Sequence, residues 1–261
     1  MLYRARKMSF ERKLLDLNKM TGDNSITKGN ISCVFKNLED RLIKEIRKCD
    51  AVVGCVAWLT NPKILKELRN KPCSFIVQKE DFLRPDLGEE NVNEWKKNLR
   101  MFYDKLQPLS WHISGDCIPV PKIYNTNREG FDDYALRCVG NHNATKLPAF
   151  PRMHNKFLVF LKDKRPRPTK KARYEYEYYD EDGDLVNQRI EQNEYVYDPV
   201  SVWTGSFNLT LNGTFSFENA VIIDDVDIAY QYLKEWYEIL GLSEPLDWEN
   251  PWISPEFRIG T

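Results

Sequence analysis

Two short apolar runs, each joined to a polar motif, most constrain how this chain can fold. The sequence His-Asn-Lys at 154–156 leads into the apolar run 157–161, and Gly-Ser-Phe-Asn at 205–208 follows the apolar run 200–203. Apolar runs of this length, bounded by polar and turn-forming residues, are typical of buried strands. We therefore predict two adjacent strands of one sheet that carry polar side chains at their ends.

The two motifs form one split signature. His154 and Lys156 stand two residues apart, and Asp198 precedes the Gly-Ser pair by six intervening residues. This order resembles the HKD motif of the phospholipase D superfamily, which reads His-x-Lys, four residues, Asp, six residues, Gly-Ser, with an Asn shortly after. The usual Asp position falls on Leu161 here, so an insertion at about 162–197 opens the turn between the two strands.

The resemblance covers about residues 31 to 240 and implies a phospholipase D-like fold. That is an α/β fold with a mixed, mostly parallel sheet flanked by helices on both faces. The local order supports it, because a buried strand at 51–59, a helix at 61–69 and a strand at 73–77 form a βαβ unit. We predict a polar N-terminal extension at 1–30 and a catalytic domain at 31–261.

The remaining elements are predicted from hydrophobic periodicity. Helices are expected at 34–48, 94–106 and 227–240, and strands at 109–113, 134–139 and 220–223. The first helix is expected to bury Phe35 among others, and the last to bury Ile228 along with Trp236. Asn61 is the expected N-cap of the helix that starts at Pro62.

The site residues suit cleavage of a phosphodiester. A neutral histidine ring can attack phosphorus and form a covalent phosphohistidine, and His154 is the candidate nucleophile. Lys156 lies two residues along the strand and therefore points to the same face. Ser206 and Asn208 follow the same spacing and would donate further hydrogen bonds, while Gly205 leaves room for close backbone approach.

The resemblance adds two acidic residues. Glu218 matches a downstream acid that accepts the second ring N–H of the nucleophilic histidine and so fixes its tautomer. Asp198 matches the Asp of the motif, at a strand turn, where a structural role is expected. Neither a metal nor another cofactor is implied.

The insertion begins with a basic limb, defined here as residues 162–173, and continues into alternating Tyr and Glu around an Asp-Gly pair, which predicts a β-hairpin. One interpretation is a solvated surface hairpin. The other is that the basic limb borders the active site and contacts phosphates. On that interpretation the candidate substrate-binding residues are Lys162, Lys164, Arg165 and Arg167.

The mechanism needs a second histidine to protonate the leaving group. The chain has three histidines, and neither His112 nor His142 begins a second His-x-Lys. A two-fold homodimer that brings His154 of each protomer to one shared site supplies the missing group. The alternative is that His142 acts as the acid within one chain.

Composition narrows the partners and the compartment. The net charge of −1 excludes a general attraction to nucleic acid or acidic lipid, so such binding needs local patches. No apolar run approaches membrane-spanning length, and no signal-peptide-like segment follows the N-terminus, so we expect a cytoplasmic protein with no membrane association. The six cysteines are expected to be buried thiols. A zinc site at His112, Cys117, Cys138 and His142 is the weaker alternative.

Three functions follow from these residues. The first is a metal-independent nuclease that acts on DNA or RNA. The second is a phospholipid-acting hydrolase or transphosphatidylase, which would need an interfacial apolar surface. The third is a nucleic-acid-binding module with weak catalysis, which the displacement of Asp198 and the near-neutral charge leave open.

Overall fold

The computed structural model describes residues 16–83, 94–109, 134–141, 152–163, 171–179, 185–193, 197–246 and 253–254. Four α-helices are present in these ranges: α1 (Leu38–Lys48), α2 (Pro62–Leu68), α3 (Glu94–Tyr103) and α4 (Val226–Gly241). The strands are β1 (Ile26–Lys28), β2 (Ile31–Val34), β3 (Ala51–Val56), β4 (Pro72–Gln78), β5 (Gln107–Pro108), β6 (Leu136–Asn141), β7 (Lys156–Asp163), β8 (Lys171–Tyr179), β9 (Leu185–Asn193), β10 (Tyr197–Gly205), β11 (Ala220–Ile223), β12 (Glu244–Pro245) and β13 (Ile253–Ser254).

One large sheet organises the chain, and its strand order is β1-β2-β11-β10-β7-β3-β4-β6-β12. Parallel pairing is confined to β3 with β4, β4 with β6 and β4 with β5. The other pairs of this sheet are antiparallel. The prediction of an α/β fold with a mixed sheet is confirmed, but the expectation that it is mostly parallel is wrong. The βαβ unit at β3-α2-β4 is real, whereas β7 returns beside β3 in the opposite direction.

The strand β3 lies in the middle of the sheet and is buried on both faces, as its continuous apolar run predicts. Val52 and Val56 pack into the core under α1, α2 and α3. The alternate residues Val53 and Cys55 pack into the opposite core, which α4 covers. Helices therefore flank both faces of the sheet, as expected.

Two helix predictions need correction. The helix predicted at 34–48 begins at Leu38, because Val34 is the last residue of strand β2, and Phe35 lies before the helix and is 42% exposed instead of buried. In α4 the inward face is Ala229, Leu233, Trp236 and Leu240, and the predicted inward residue Ile228 is 38% exposed. The first error is a misplaced helix start, because Asn37 interrupts the helical pattern with a left-handed backbone conformation. The second is a small rotation of the amphipathic pattern, since neighbouring turns of a helix offer several apolar stripes.

Strands β8 and β9 lie between β7 and β10 in sequence and pair with each other in a separate antiparallel sheet, from Lys171 opposite Asn193 to Tyr179 opposite Leu185. Residues 16–30, within the predicted N-terminal extension, contribute β1, which pairs with β2. No helix in the described ranges is both long and apolar enough to cross a membrane.

The pairing brings six strand ends to one edge of the sheet. The register sets Ala220 at the start of β11 beside both Val34 and Gly205, which end β2 and β10. Lys156 at the start of β7 lies beside Val56 at the end of β3, and Val56 pairs with Val77 of β4. We call this side of the sheet the site edge.

Asn61 connects the helices to the site edge. Its side chain, fully buried, accepts hydrogen bonds from the backbone N–H groups of Lys63 and Ile64 and so caps α2. Its amide Nδ2 donates to Glu39 Oε2 at 2.7 Å, and its backbone N–H donates to the carbonyl of Leu209 at 2.9 Å. The predicted N-cap is confirmed, and it also ties α1 and the loop after β10 together.

We expect the Asn61→Ala variant to lose about 3 kcal/mol of unfolding free energy, because it removes a helix cap and leaves the buried Glu39 carboxylate without its amide donor. Urea denaturation measures this loss. Asn70→Ala is the matched control, since Asn70 is exposed and makes one long hydrogen bond within its own helix turn. A loss for Asn61→Ala no larger than that of the control would contradict the proposed connection.

Candidate active site

A close backbone approach at Gly205 builds the first half of the site. A Cβ atom at this position would lie 2.2 Å from the carbonyl oxygen of Asn219 and 2.8 Å from Cα of Ala220. Any other residue would push β10 and β11 apart. The glycine therefore lets the chain after β10 meet the chain before β11.

Ser206 and Glu218 meet at this approach. The Ser206 hydroxyl donates to Glu218 Oε2 at 2.5 Å, and the Asn219 backbone N–H donates to the same hydroxyl at 3.0 Å. The Ser206 backbone N–H also donates to the carbonyl of Asn219 at 3.1 Å. These three bonds hold the serine and the carboxylate as one rigid unit.

His154 and Lys156 form the second half. Lys156 Nζ lies 3.2 Å from His154 Nδ1, 3.3 Å from Nε2 and 3.0 Å from the His154 carbonyl oxygen. The two ring distances are nearly equal, so the ammonium lies against the ring and not along one nitrogen's lone pair. The imidazole itself is exposed at the site edge, where a bulky substrate can reach it.

Lys156 connects the two halves. Phe157 pairs with Thr204 in the antiparallel register of β7 and β10, and extending this register by one residue places Lys156 beside Gly205. Partial burial lowers the pKa of the Lys156 ammonium below its usual value. The nearby Glu218 carboxylate raises that pKa and so offsets part of the effect of burial. The lysine thus sits within electrostatic reach of the serine and glutamate unit.

Asn208 lies just beyond the end of β10. Its side-chain Oδ1 is buried and accepts no hydrogen bond from the described residues. An unmatched buried carbonyl costs about 1 to 3 kcal/mol, so stability alone does not explain this amide. Unsatisfied polar atoms of native proteins deserve a functional explanation, and a site that binds a polar ligand provides one.

One predicted contact differs. Glu218 was expected to accept from the ring of His154, but its carboxylate accepts from Ser206. Within the described ranges, the ring nitrogens of His154 hydrogen-bond with Lys156 Nζ. The acid and the histidine are therefore linked through Lys156, which contacts the ring and feels the charge of the carboxylate.

Asp198 and Lys162 do not join this cluster. They lie opposite each other in the β7–β10 register, six residues along β7 from Lys156 and so about 20 Å away. Asp198 is buried there, and Lys162 donates to Asp50 Oδ1 at 3.3 Å. The first residue of the basic limb, Lys162, therefore lies at the opposite end of β7 from Lys156, because an antiparallel pair is connected at the end opposite its free ends.

Several other predictions fall on residues that the structure does not describe. Lys164, Arg165 and Arg167 of the basic limb lie outside the described residues, as do His112, Cys117 and the alternative acid His142. Cys138, the described member of the weaker zinc alternative, is buried against Glu244 and Pro245. Within the described ranges, no group of three or more His, Cys, Asp and Glu side chains is arranged to hold a metal ion.

The cysteines of the described ranges are free thiols, and four of the five are buried. Burial raises the pKa of Cys49 to about 11 and that of Cys73 to about 12. Such thiols stay protonated and are poor nucleophiles, so they belong to the core.

Three residues near the cluster were not predicted. Trp58 follows β3, is 39% exposed, and donates from Nε1 to Glu80 Oε1 at 3.2 Å. Phe217 precedes Glu218 and is 65% exposed, and Lys36 lies over its ring at 5.5 Å from the centroid. Phe217 could have been predicted as a site residue, because it directly precedes the predicted acid Glu218 in the sequence. Nothing in the local sequence marks Lys36 as a site residue.

This arrangement combines a reachable imidazole, an ammonium, a hydroxyl paired with a carboxylate, and a side-chain amide. The ammonium can neutralise an anionic oxygen and the amide Nδ2 can donate a hydrogen bond to it, while the imidazole can act as nucleophile or proton carrier. The set suits an anionic ester better than a neutral substrate.

Solved structures with a similar overall arrangement include a phospholipase D family member, Nuc from Salmonella typhimurium, at 14% identity and a TM-score of 0.42, over 82% of this chain and 95% of that one. NucT from Helicobacter pylori is 12% identical with a TM-score of 0.42, over 80% and 94% of the two chains. Phosphatidylserine synthase from Haemophilus influenzae is 12% identical with a TM-score of 0.37, over 85% and 42%. These solved structures thus include a member of the phospholipase D superfamily, whose motif the split motif of this chain resembles.

No protein-family model matches the chain. One protein sequence does match at length: Uncharacterized protein L381 of Acanthamoeba polyphaga mimivirus is 31% identical over 250 residues, which are 91% of this chain and 76% of that protein. Identity at this level over most of both chains shows that the protein belongs to the same family as L381 of the mimivirus.

Proposed function

We propose that this protein is a cytoplasmic, metal-independent phosphodiesterase that cleaves DNA or RNA through a covalent phosphohistidine. Its active site is shared by two protomers. The observation that carries the proposal is the contact of Lys156 Nζ with the exposed His154 ring, beside the Ser206 and Glu218 unit. A nucleophile and a cation that share one small surface are what an anionic diester requires.

The first chemical step assigns a role to each group. A ring nitrogen of His154 attacks phosphorus and forms an N–P bond as the P–O bond to the leaving oxygen breaks. The Lys156 ammonium neutralises charge on the non-bridging oxygens, and the Asn208 Nδ2 group donates a hydrogen bond to one of them. Ser206 donates a further hydrogen bond once its hydroxyl turns from Glu218. Water then attacks phosphorus, the N–P bond breaks, and the histidine is regenerated.

A proton donor for the leaving oxygen completes the cycle. His154 of a second protomer would give its proton to that oxygen in the first step and take one from water in the second. The exposure of His154 at the site edge supports this assignment, because a buried imidazole could not meet its symmetry mate.

The main test is cleavage in the presence of EDTA. We expect the wild type to cleave single-stranded or plasmid DNA, or RNA, in EDTA, and His154→Ala and Lys156→Ala each to lose at least about 1,000-fold in rate, as removal of a nucleophile or an oxyanion-stabilising group does. Lys97→Ala is the control, since Lys97 is exposed on α3. Cleavage that EDTA abolishes but His154→Ala leaves intact would refute the mechanism.

The pH profile tests the link between Glu218 and Lys156. Because the Glu218 carboxylate raises the pKa of Lys156, Glu218→Gln should lower that pKa, and the ammonium should be lost at lower pH. The alkaline fall in kcat/KM, which reports the free enzyme, should therefore move to lower pH. Glu67→Gln, far along α2, should keep the wild-type profile. An alkaline limb that stays in place or moves upward in Glu218→Gln would contradict the link.

A mixed dimer tests the shared site. Two differently tagged chains, one wild type and one His154→Ala, can be co-expressed and purified through both tags. We expect the mixed dimer to be as inactive as the His154→Ala homodimer, because one active site needs both rings. A doubly tagged wild-type dimer is the control. Half of the wild-type activity would instead favour two independent sites, each with an acid from its own chain.

A further inference from the structure

A cavity of about 290 Å³ adjoins the Ser206 and Glu218 unit, with Glu218 in its lining. It lies at the site edge, beyond the ends of β2 and β11. Its lining includes Thr21, Phe35, Lys36, Phe217, Glu218 and Asn219. Its size is near the lower end of the range of about 300 to 1,000 Å³ for pockets that hold small organic molecules.

Two aromatic rings in this cavity are unusually open. Phe217 is 65% exposed and Phe35 is 42% exposed. They come from different elements, one from the loop before β11 and the other from the residue after β2. Two exposed rings that converge on one cavity beside catalytic groups offer flat apolar surfaces on which a planar ligand can stack.

Lys36 supplies a positive charge to the same cavity. The residue is only 6% exposed, and its ammonium donates to the carbonyl of Leu17 at 3.3 Å and to Thr21 Oγ1 at 2.5 Å. Both acceptors are neutral, and no carboxylate of the described residues lies within ion-pair distance of Nζ. A buried ammonium without a counter-charge is costly, and a bound anion offsets that cost.

The carboxylate in the lining does not cancel this charge locally. Glu218 accepts the Ser206 hydroxyl and lies near Lys156, on the catalytic side of the cavity. Lys36 lies over the Phe217 ring, with its ammonium 5.5 Å from the ring centroid, so a positive charge and an aromatic face flank the same part of the cavity.

We propose that this cavity is a nucleotide subsite, in which an unpaired base stacks on Phe217 and Phe35 while the phosphate of that nucleotide lies against Lys36. The inference rests on the proposed nuclease function and names its substrate class as single-stranded nucleic acid. A base in a duplex is stacked and paired, so it cannot enter such a cavity without leaving the helix.

The polar lining favours a nucleic acid over a lipid. Side-chain amides of Asn24 and Asn219 and the hydroxyl of Thr21 flank the rings. These groups can hydrogen-bond the edge of a base, as single-strand-binding proteins do beside their stacking rings. An acyl chain would leave the same groups without partners.

Binding is measured in a His154→Ala background, so that cleavage does not interfere, with a fluorescently labelled ten-residue oligothymidylate. We expect Phe217→Ala to weaken binding about tenfold, as loss of one base–aromatic stack does, and Phe217→Tyr to bind like the parent. Phe217 is 65% exposed, so its removal leaves the core intact, and thermal denaturation of each variant checks that it folds. Annealing the complementary strand should weaken binding and remove the effect of Phe217→Ala.

Two controls test whether the effect is local. Leu211→Ala removes a 50% exposed apolar side chain from the turn before Phe217, and Lys97→Met removes an exposed charge from α3. Both should bind like the parent. Lys36→Met should weaken binding and reduce its dependence on salt, because one phosphate contact is lost.

An abasic oligonucleotide identifies the stacked position. An abasic residue is moved along the oligothymidylate, and at one position it should weaken binding to the parent about as much as Phe217→Ala does. At that position the variant should lose nothing further, since both changes remove the same contact. Additive losses at every position would overturn the subsite.

The outcomes separate this inference from the function on which it rests. Wild-type cleavage together with equal binding by Phe217→Ala and its parent would overturn the subsite and leave the nuclease intact. Absence of both cleavage and oligonucleotide binding would overturn the function and the subsite together. Binding to phosphatidylglycerol vesicles that Phe217→Ala abolishes, with oligonucleotide binding unchanged, would overturn the subsite in favour of a lipid surface.

Discussion

The antiparallel pairing of β7 with β10 is the constraint on which the rest of the structure depends. In such a pair the first residues of one strand lie beside the last residues of its neighbour. Lys156 begins β7 and Gly205 ends β10, so a histidine and lysine from one part of the chain meet a serine from another, 50 residues later. Shifting the register by one residue would turn the apolar side chains of β7 to the wrong faces of the sheet, which makes the alignment robust.

The second condition is the narrow gap between β10 and β11. Because Gly205 has no side chain, the backbone of Asn219 comes close enough to bond to Ser206, and Glu218 arrives with it. The carboxylate then acts on Lys156 without touching it, by opposing the effect of burial on the pKa of the ammonium. Packing, backbone geometry and charge at the site are therefore parts of one arrangement and cannot be changed separately.

Local patterns predicted much of this. The apolar runs indicated β3, β7 and β10, Asn61 and Pro62 marked the start of α2, and the spacing of His154 and Lys156 placed both on one face. Strand direction was not predictable in the same way, because the pairing of β7 with β3 joins residues 100 positions apart. Lys36 was missed for a similar reason: it is buried by Leu17 and Thr21, and nothing near it in sequence reports that contact. Phe35 was assigned to a helix face because hydrophobic periodicity does not reveal where a helix begins. The break comes at Asn37, whose φ of 54° interrupts the chain just before α1.

The position of the β8–β9 hairpin has a consequence for how this chain tolerates change. It leaves the main sheet where β7 and β10 are joined, about 20 Å from His154. The entropic cost of lengthening a connection grows only slowly with its length, so segments can be gained, lost or exchanged there while the reactive groups keep their spacing. The closed end of the strand pair is thus the natural place for relatives to diverge and for a protein engineer to graft a reporter or a second binding unit.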